Sequence, residues 1–110
     1  MKVVFTPQAK GDLIEIARHI SGRNPRGAKT FVGELRAKAM ALGDRPMAFP
    51  LVDGFARQGL RRRVFGDYLI FYRVEDRLVG ILRILHGARE YETLLAPAKP
   101  RGQKEDEPNE

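Results

Sequence analysis

The sequence predicts an α+β domain, and two observations carry that expectation. Two apolar stripes of helical period follow one another, each announced by a capping residue and a proline: Thr6-Pro7 before Ala9, Leu13, Ile16, Ala17 and Ile20, and Asn24-Pro25 before Ala28, Phe31, Leu35, Ala39 and Leu42. Three stretches rich in Val, Ile, Leu, Phe and Tyr come later, at residues 60–65, 68–74 and 78–85, joined by the hairpin-length connectors Gly66-Asp67 and Glu75-Asp76-Arg77. With a short apolar strand at residues 3–5, the order is β-α-α-β-β-β. This order predicts an antiparallel helical hairpin packed on one face of an antiparallel sheet, whose C-terminal part is a three-stranded meander.

Each element has a local reason. A Thr6 side chain can accept from the free amides of the first turn, and Pro7 costs nothing where no amide is needed. Asp12, Glu15 and Arg18 fall outside the apolar stripe, and His19 lies on the exposed side. Ser21-Gly22 stops the first helix, and a connection of about three residues forces the second to run back along it. The second stripe stops at Gly43-Asp44. Residues 45–59 hold Pro46, Pro50, Gly54 and Gly59 without any period, so they form a long loop whose Phe49, Leu51, Val52 and Phe55 are expected under the sheet edge. Residues 68–74 are apolar on both faces. One face should pack on the helices, while the other is semi-buried or awaits a partner. Residues 86–95 read as a short helix or an extension. The folded unit is therefore residues 1–96, and residues 97–110 read as a disordered polar tail.

The chain's 110 residues allow one domain, and 43% hydrophobic residues suffice for a core. Lys and Arg number 20 against 14 Asp and Glu, a net charge of +6. Three bases and four acids make residues 97–110 carry −1, so residues 1–96 carry +7. Such a surface favours nucleic acid, acidic peptide or acidic protein as partner. The absence of cysteine excludes disulfides, thiolate zinc sites and thiol nucleophiles. No apolar run approaches the ~18 residues of a membrane span, and the first apolar segment is too short for a signal peptide. A cytoplasmic protein without membrane contact is expected. Neither a glycine-rich phosphate loop nor a nucleophile elbow is present, and His19 and His86 have no supporting carboxylate pattern for a metal. No metal, cofactor or small-molecule substrate is expected.

Chemistry concentrates in the arginines and in His86. Strand alternation sends Arg61 and Arg63 to one face and Arg62 to the other. Arg73 and Arg83 interrupt apolar strands, and Arg89 follows. These side chains could grip phosphates or carboxylates in bidentate fashion; they could equally protect strand edges or pair with Glu75, Asp76 or Glu90. The set Arg61, Arg63, Arg73, Arg83 and Arg89 is the candidate surface for a macromolecular partner. His86 closes the last strand. It could move a proton, with Arg83 and Arg89 neutralising a phosphate and Tyr91 assisting, or it could be a hydrogen-bonded hinge. Lys29, Arg36 and Lys38 read as a solvated helix face.

The opening strand into Thr6-Pro7-Gln8-Ala9, the Asp12-Leu13-Ile14-Glu15-Ile16 helix, the Asn24-Pro25 restart, Gly59-Leu60-Arg61, Tyr68-Leu69-Ile70-Phe71-Tyr72-Arg73-Val74 and Ile81-Leu82-Arg83-Ile84-Leu85-His86-Gly87-Ala88-Arg89-Glu90 together resemble the ParE/RelE superfamily, in its ParE-like branch. The resemblance spans residues 3–95. It implies a growth-inhibiting toxin of a type II toxin-antitoxin system, neutralised by a ParD-like antitoxin encoded beside it. ParE-like members are associated with poisoning DNA gyrase, and RelE-like members cleave messenger RNA on the ribosome. Arg61, Arg83, His86 and Tyr91 lie where parts of a RelE-like catalytic set could fall, but the lysine-rich strand of that branch is absent. The resemblance thus points to gyrase inhibition without catalysis, with a ribosome-dependent mRNA endonuclease and a non-toxic antitoxin-binding module as alternatives.

Because residues 97–110 offer almost no apolar side chain to bury, their removal is expected to leave the melting temperature nearly unchanged. Calorimetry of a chain ending at residue 96 checks this. A fall beyond a few degrees would show docking on the domain, since about 1 kcal/mol corresponds to roughly 4 to 8 °C at this size.

Overall fold

A computed structural model of the chain describes residues 1–89 and 91–95, so the tail assigned to residues 97–110 lies outside the described residues. The elements are β1 (Lys2–Phe5), α1 (Pro7–Ser21), α2 (Pro25–Met40), β2 (Arg61–Phe65), β3 (Tyr68–Glu75), β4 (Leu78–His86) and α3 (Tyr91–Leu95). Thr6 joins the first two. Its Oγ1 accepts from Ala9 N at 3.1 Å and donates to Leu82 O at 3.0 Å, so one hydroxyl caps α1 and ties it to β4. Asn24 caps α2 by accepting from Gly27 N at 2.9 Å. A single 3-10 turn, Ala41–Gly43, follows α2, and the Met1 ammonium donates to Gly43 O at 3.0 Å. A side chain at Gly43 would run into the Met1 carbonyl, so this close approach needs glycine.

The sheet runs in the order β1-β4-β3-β2. The three-stranded meander is as expected, but the sheet is mixed rather than wholly antiparallel: β1 lies parallel to β4, from Lys2 opposite Leu78 to Phe5 opposite Ile81. The reason is topological. The meander leaves two edges, β2 and β4, and a strand that precedes both helices can reach the β4 edge by a crossover, which produces a parallel pair. Both hairpins are two-residue loops. Gly66 has φ 59°, and in the second hairpin Asp76 and Arg77 sit at φ 52° and 64°, the left-handed conformations that match the twist of the strands. A bulge interrupts the β3–β4 pairing, where Phe71 faces Arg83 and Tyr72 faces Ile81, leaving Leu82 as the extra residue.

Both faces of the sheet are covered. On one, Leu13 and Ile16 of α1 and Leu35 and Ala39 of α2 pack on Ile70, Tyr72, Val79, Ile81 and Ile84. On the other, Leu69, Phe71 and Leu85 meet Val52, Phe55, Leu60 and Leu95. The second face is therefore filled by the chain's own loop and by α3, whose apolar residues cannot find another dry surface. Val52 and Phe55 are buried as expected, whereas Leu51 is 42% exposed. Leu51 bridges Arg61 at the sheet edge, and with Val52 N donating to Leu60 O and Arg62 N to Pro50 O it serves as backbone cover for β2 rather than as core. Among the described residues no helix is long and apolar enough to cross a membrane.

Tyr72 is fully buried, and its hydroxyl donates to Pro46 O at 2.8 Å, pinning the long loop to the sheet. Burial pushes the phenol above its ordinary value of 10.0, while Arg61, the Phe49 backbone and Arg63 pull it back. A phenol whose folded pKa is raised ionises first in the unfolded chain, so its contribution to stability is intact below pH 10 and falls as pH rises further. Urea denaturation of Tyr72→Phe at neutral pH is expected to show a loss of about 1 kcal/mol from the missing hydrogen bond, and a shallower decline above pH 10 than the wild type.

Candidate functional site

The described structure gathers polar side chains where β4 outruns β1. Pairing with β1 stops at Ile81; Thr6 N then donates to Ile81 O, and the chain turns into α1. The next outward amide on β4, Ile84 N, would be an unpaired edge group. Instead it donates to Asp12 Oδ2 at 2.9 Å, and Arg83 grips the same carboxylate from the side, Nε to Oδ2 at 2.8 Å and Nη2 to Oδ1 at 3.0 Å. The side chains are 23% and 13% exposed, so water weakens this pair far less than a surface pair. Asp12 raises the Arg83 guanidinium above its usual value, chiefly through the side-chain hydrogen bond and further through its charge, against the loss of water on burial. The helical period placed Asp12 outside with Glu15 and Arg18, and the structure corrects this. An arginine inside an apolar strand needs a counter-charge, and that need was the available signal.

Around this pair lies an open cleft of about 550 Å³, walled by α1 through Asp12, Glu15, Ile16 and His19, by the sheet through Tyr68, Arg83 and His86, and by Arg89 from the turn after β4. His86 turns its Nδ1 to the Ala88 amide, from which it accepts at 3.1 Å, and its ring stands edge-on to Tyr68 with centroids 5.2 Å apart. A neutral His86 in this arrangement carries its proton on Nε2. Arg89 is exposed at the rim.

The other candidates lie elsewhere. Arg61 donates to Phe49 O at 2.7 Å, and Arg63 donates to Lys38 O at 3.1 Å while its guanidinium covers the Phe49 ring at 4.7 Å. Both sit on the helix-covered side, as the alternation requires. Arg62 points to the opposite face, where Nη1 donates to the Tyr91 hydroxyl at 3.3 Å and the Tyr91 ring lies 5.2 Å from that of Phe71. Arg73 bonds Glu75 at 3.2 Å, one of the pairings considered from sequence. On α2, Arg36 stacks over Phe5 at 5.1 Å instead of being fully solvated. The structure thus brings Arg83, His86 and Arg89 together and leaves Arg61, Arg63, Arg73 and Tyr91 outside that cleft. Among the described residues no group of three or more His, Cys, Asp or Glu is placed to hold a metal ion.

The family model for the ParE toxin of the type II toxin-antitoxin system parDE matches residues 3–91, which include every element of the sheet and both long helices. The chain belongs to the ParE toxin family. It is a type II toxin-antitoxin toxin of the wider ParE/RelE group. Toxin RelE2 of Caulobacter vibrioides is 34% identical to it over 88 residues, 80% of this chain and 97% of that protein. A solved chromosomal ParDE system from P. aeruginosa superposes with a TM-score of 0.69 at 22% identity, over 78% of this chain and 95% of the other, and shows the shared fold. A toxin-antitoxin complex, RelBE2 of Mycobacterium tuberculosis, contains a chain with a TM-score of 0.57 at 28% identity, over 77% and 95%.

In this ParE-family fold Asp12→Ala should cost about 2 to 3 kcal/mol, because it strands Arg83 and the Ile84 amide together. Urea denaturation of Asp12→Ala, Arg83→Ala and the double variant checks this. The two single losses are expected to exceed the double loss by roughly 1 kcal/mol or more.

Proposed function

We propose that this toxin arrests growth by poisoning DNA gyrase, and that a ParD-like antitoxin encoded with it neutralises it. The observation that carries the reading is the separation of the groups that RNA cleavage would use. A general acid or base must lie within hydrogen-bond reach of the atom it serves. Arg83 and His86 share the cleft, but Arg61 is spent on the Phe49 carbonyl at the β2 edge, and Tyr91 lies outside the cleft, against the Phe71 ring with its hydroxyl on Arg62. A protein that acts by occupying a surface needs no such convergence. The match to the ParE family model supports the same reading.

The antitoxin reading rests on the structural relatives being toxin-antitoxin systems and on the charge of +7 over residues 1–96. An acidic segment that folds on contact can cover a large basic surface, with Arg63, Arg73 and Arg89 at its margins. The site of action on this reading is the cytoplasm, where gyrase works. A second reading, a ribosome-dependent mRNA endonuclease, is favoured by one observation: the 34% identical relative is named Toxin RelE2.

His86 separates the two readings. Loss of a proton-transferring group typically lowers a rate by about 10² to 10⁴, whereas a surface inhibitor moves no proton. Folded His86→Gln protein, checked by circular dichroism, is expected to remain toxic on induction. Wild-type protein is expected to inhibit gyrase supercoiling in vitro, and induced cells to stop DNA synthesis before protein synthesis. A non-toxic but folded His86→Gln variant, together with cleaved message in wild-type cells, would establish the nuclease instead.

A further inference from the structure

The polar groups of the α1/β4 cleft divide into two sets. Asp12 and Arg83 satisfy each other, and Glu15 holds Arg18 at 2.7 Å. By contrast the side chains of His19, Arg23, Asp67 and Arg89 and the hydroxyl of Tyr68 make no hydrogen bond or ion pair with any described residue. These free groups converge. Beside the cleft of about 550 Å³ lies a narrower one of about 350 Å³, and His19, Tyr68 and His86 line both. The narrow lobe is walled by the rings of Phe31 and Tyr68, with Asp67 and Arg23 at its margin. The wide lobe carries Arg89 and the self-neutralised Arg83–Asp12 pair.

A flat aromatic ligand with a donor at its edge and an anionic group at one end suits this division. Rings offer an apolar wall to a base, a carboxylate such as Asp67 accepts from an exocyclic amine, and guanidinium and imidazole donors receive a phosphate. Each lobe falls within the volumes, roughly 300 to 1,000 Å³, that small-molecule sites occupy. We propose that the two lobes together bind a free purine 5′-mononucleotide, with the amino-bearing base against Phe31 and Tyr68 and the phosphate at Arg89 and His19. The nucleotide is a ligand and not a substrate, and no bond is made or broken. His86 lines both lobes, and with its Nδ1 taken by the Ala88 amide, Nε2 is the ring nitrogen left for a ligand.

Calorimetric titration of the full chain with AMP tests this, with ribose 5-phosphate, inorganic phosphate, IMP and a short single-stranded oligoribonucleotide as comparisons. AMP is expected to bind saturably at one site and more tightly than either phosphate lacking a base. IMP, which lacks the exocyclic amine, is expected to bind more weakly than AMP. His19 and Arg89 are exposed, so His19→Ala and Arg89→Ala should fold normally, and each should weaken AMP about tenfold or more. Arg57→Ala, exposed and outside both lobes, should change nothing. AMP binding that survives both cleft substitutions, phosphate binding as tight as AMP, binding of the oligonucleotide alone, or no saturable binding at all would each overturn the proposal. The titration contains no gyrase, so its outcome and that of the growth-arrest reading are independent.

Discussion

The Asp12 carboxylate accepts three hydrogen bonds from β4, two from the Arg83 guanidinium and one from the Ile84 amide, at the point where β1 has ceased to pair. β4 is the strand on which the fold depends. It pairs with β1 on one side and β3 on the other, and α1 lies across it. A parallel strand of four residues cannot cover an edge of nine, so the exposed remainder needs other partners. Thr6 and Asp12 supply them from the helix itself. The same contacts set α1 against the sheet and thereby form one wall of the cleft. The stability of this edge and the geometry of the cleft thus share the same few contacts, with the Asp12 carboxylate making most of them.

The arginines, read together from sequence as a basic surface, have different tasks in the fold. Arg61 and Arg63 fasten the long loop and the end of α2 to β2, Arg62 reaches Tyr91 of α3, and Arg83 completes the β4 edge. An arginine with several donors in a rigid fork can hold a backbone carbonyl and still present charge to a partner. These four therefore organise the surface that carries the positive field, while Arg89 and Arg23 remain free to meet a ligand. Removing one of the first group would disturb the fold, so an effect on the proposed binding is readable only when stability is measured alongside.

The sheet is covered on both faces by its own chain, and the loop at residues 45–59, with α3, closes the second face. The loop places Val52 and Phe55 in the second core, lends backbone cover to the start of the β2 edge, and is pinned by the Tyr72 hydroxyl. Among the described residues neither face of the sheet is thus left as an open apolar surface.

The sequence by itself determined the class and order of elements, because those depend on local signals. Thr6-Pro7 and Asn24-Pro25 start helices, periods of 3.6 and 2 mark the faces, and Gly66-Asp67 turns a hairpin, each within a few residues of chain. It also assigned Arg61 and Arg63 to one face and Arg62 to the other, since alternation along a strand is geometric. Only the tertiary structure decided that β1 pairs parallel to β4, that Leu51 serves the sheet edge while Val52 and Phe55 serve the core, and that Asp12 turns inward to Arg83, 71 positions away. Those outcomes depend on which edge a crossover can reach and which backbone groups it leaves unpaired. No periodicity encodes them, because the groups that must be satisfied come together only when the sheet has closed.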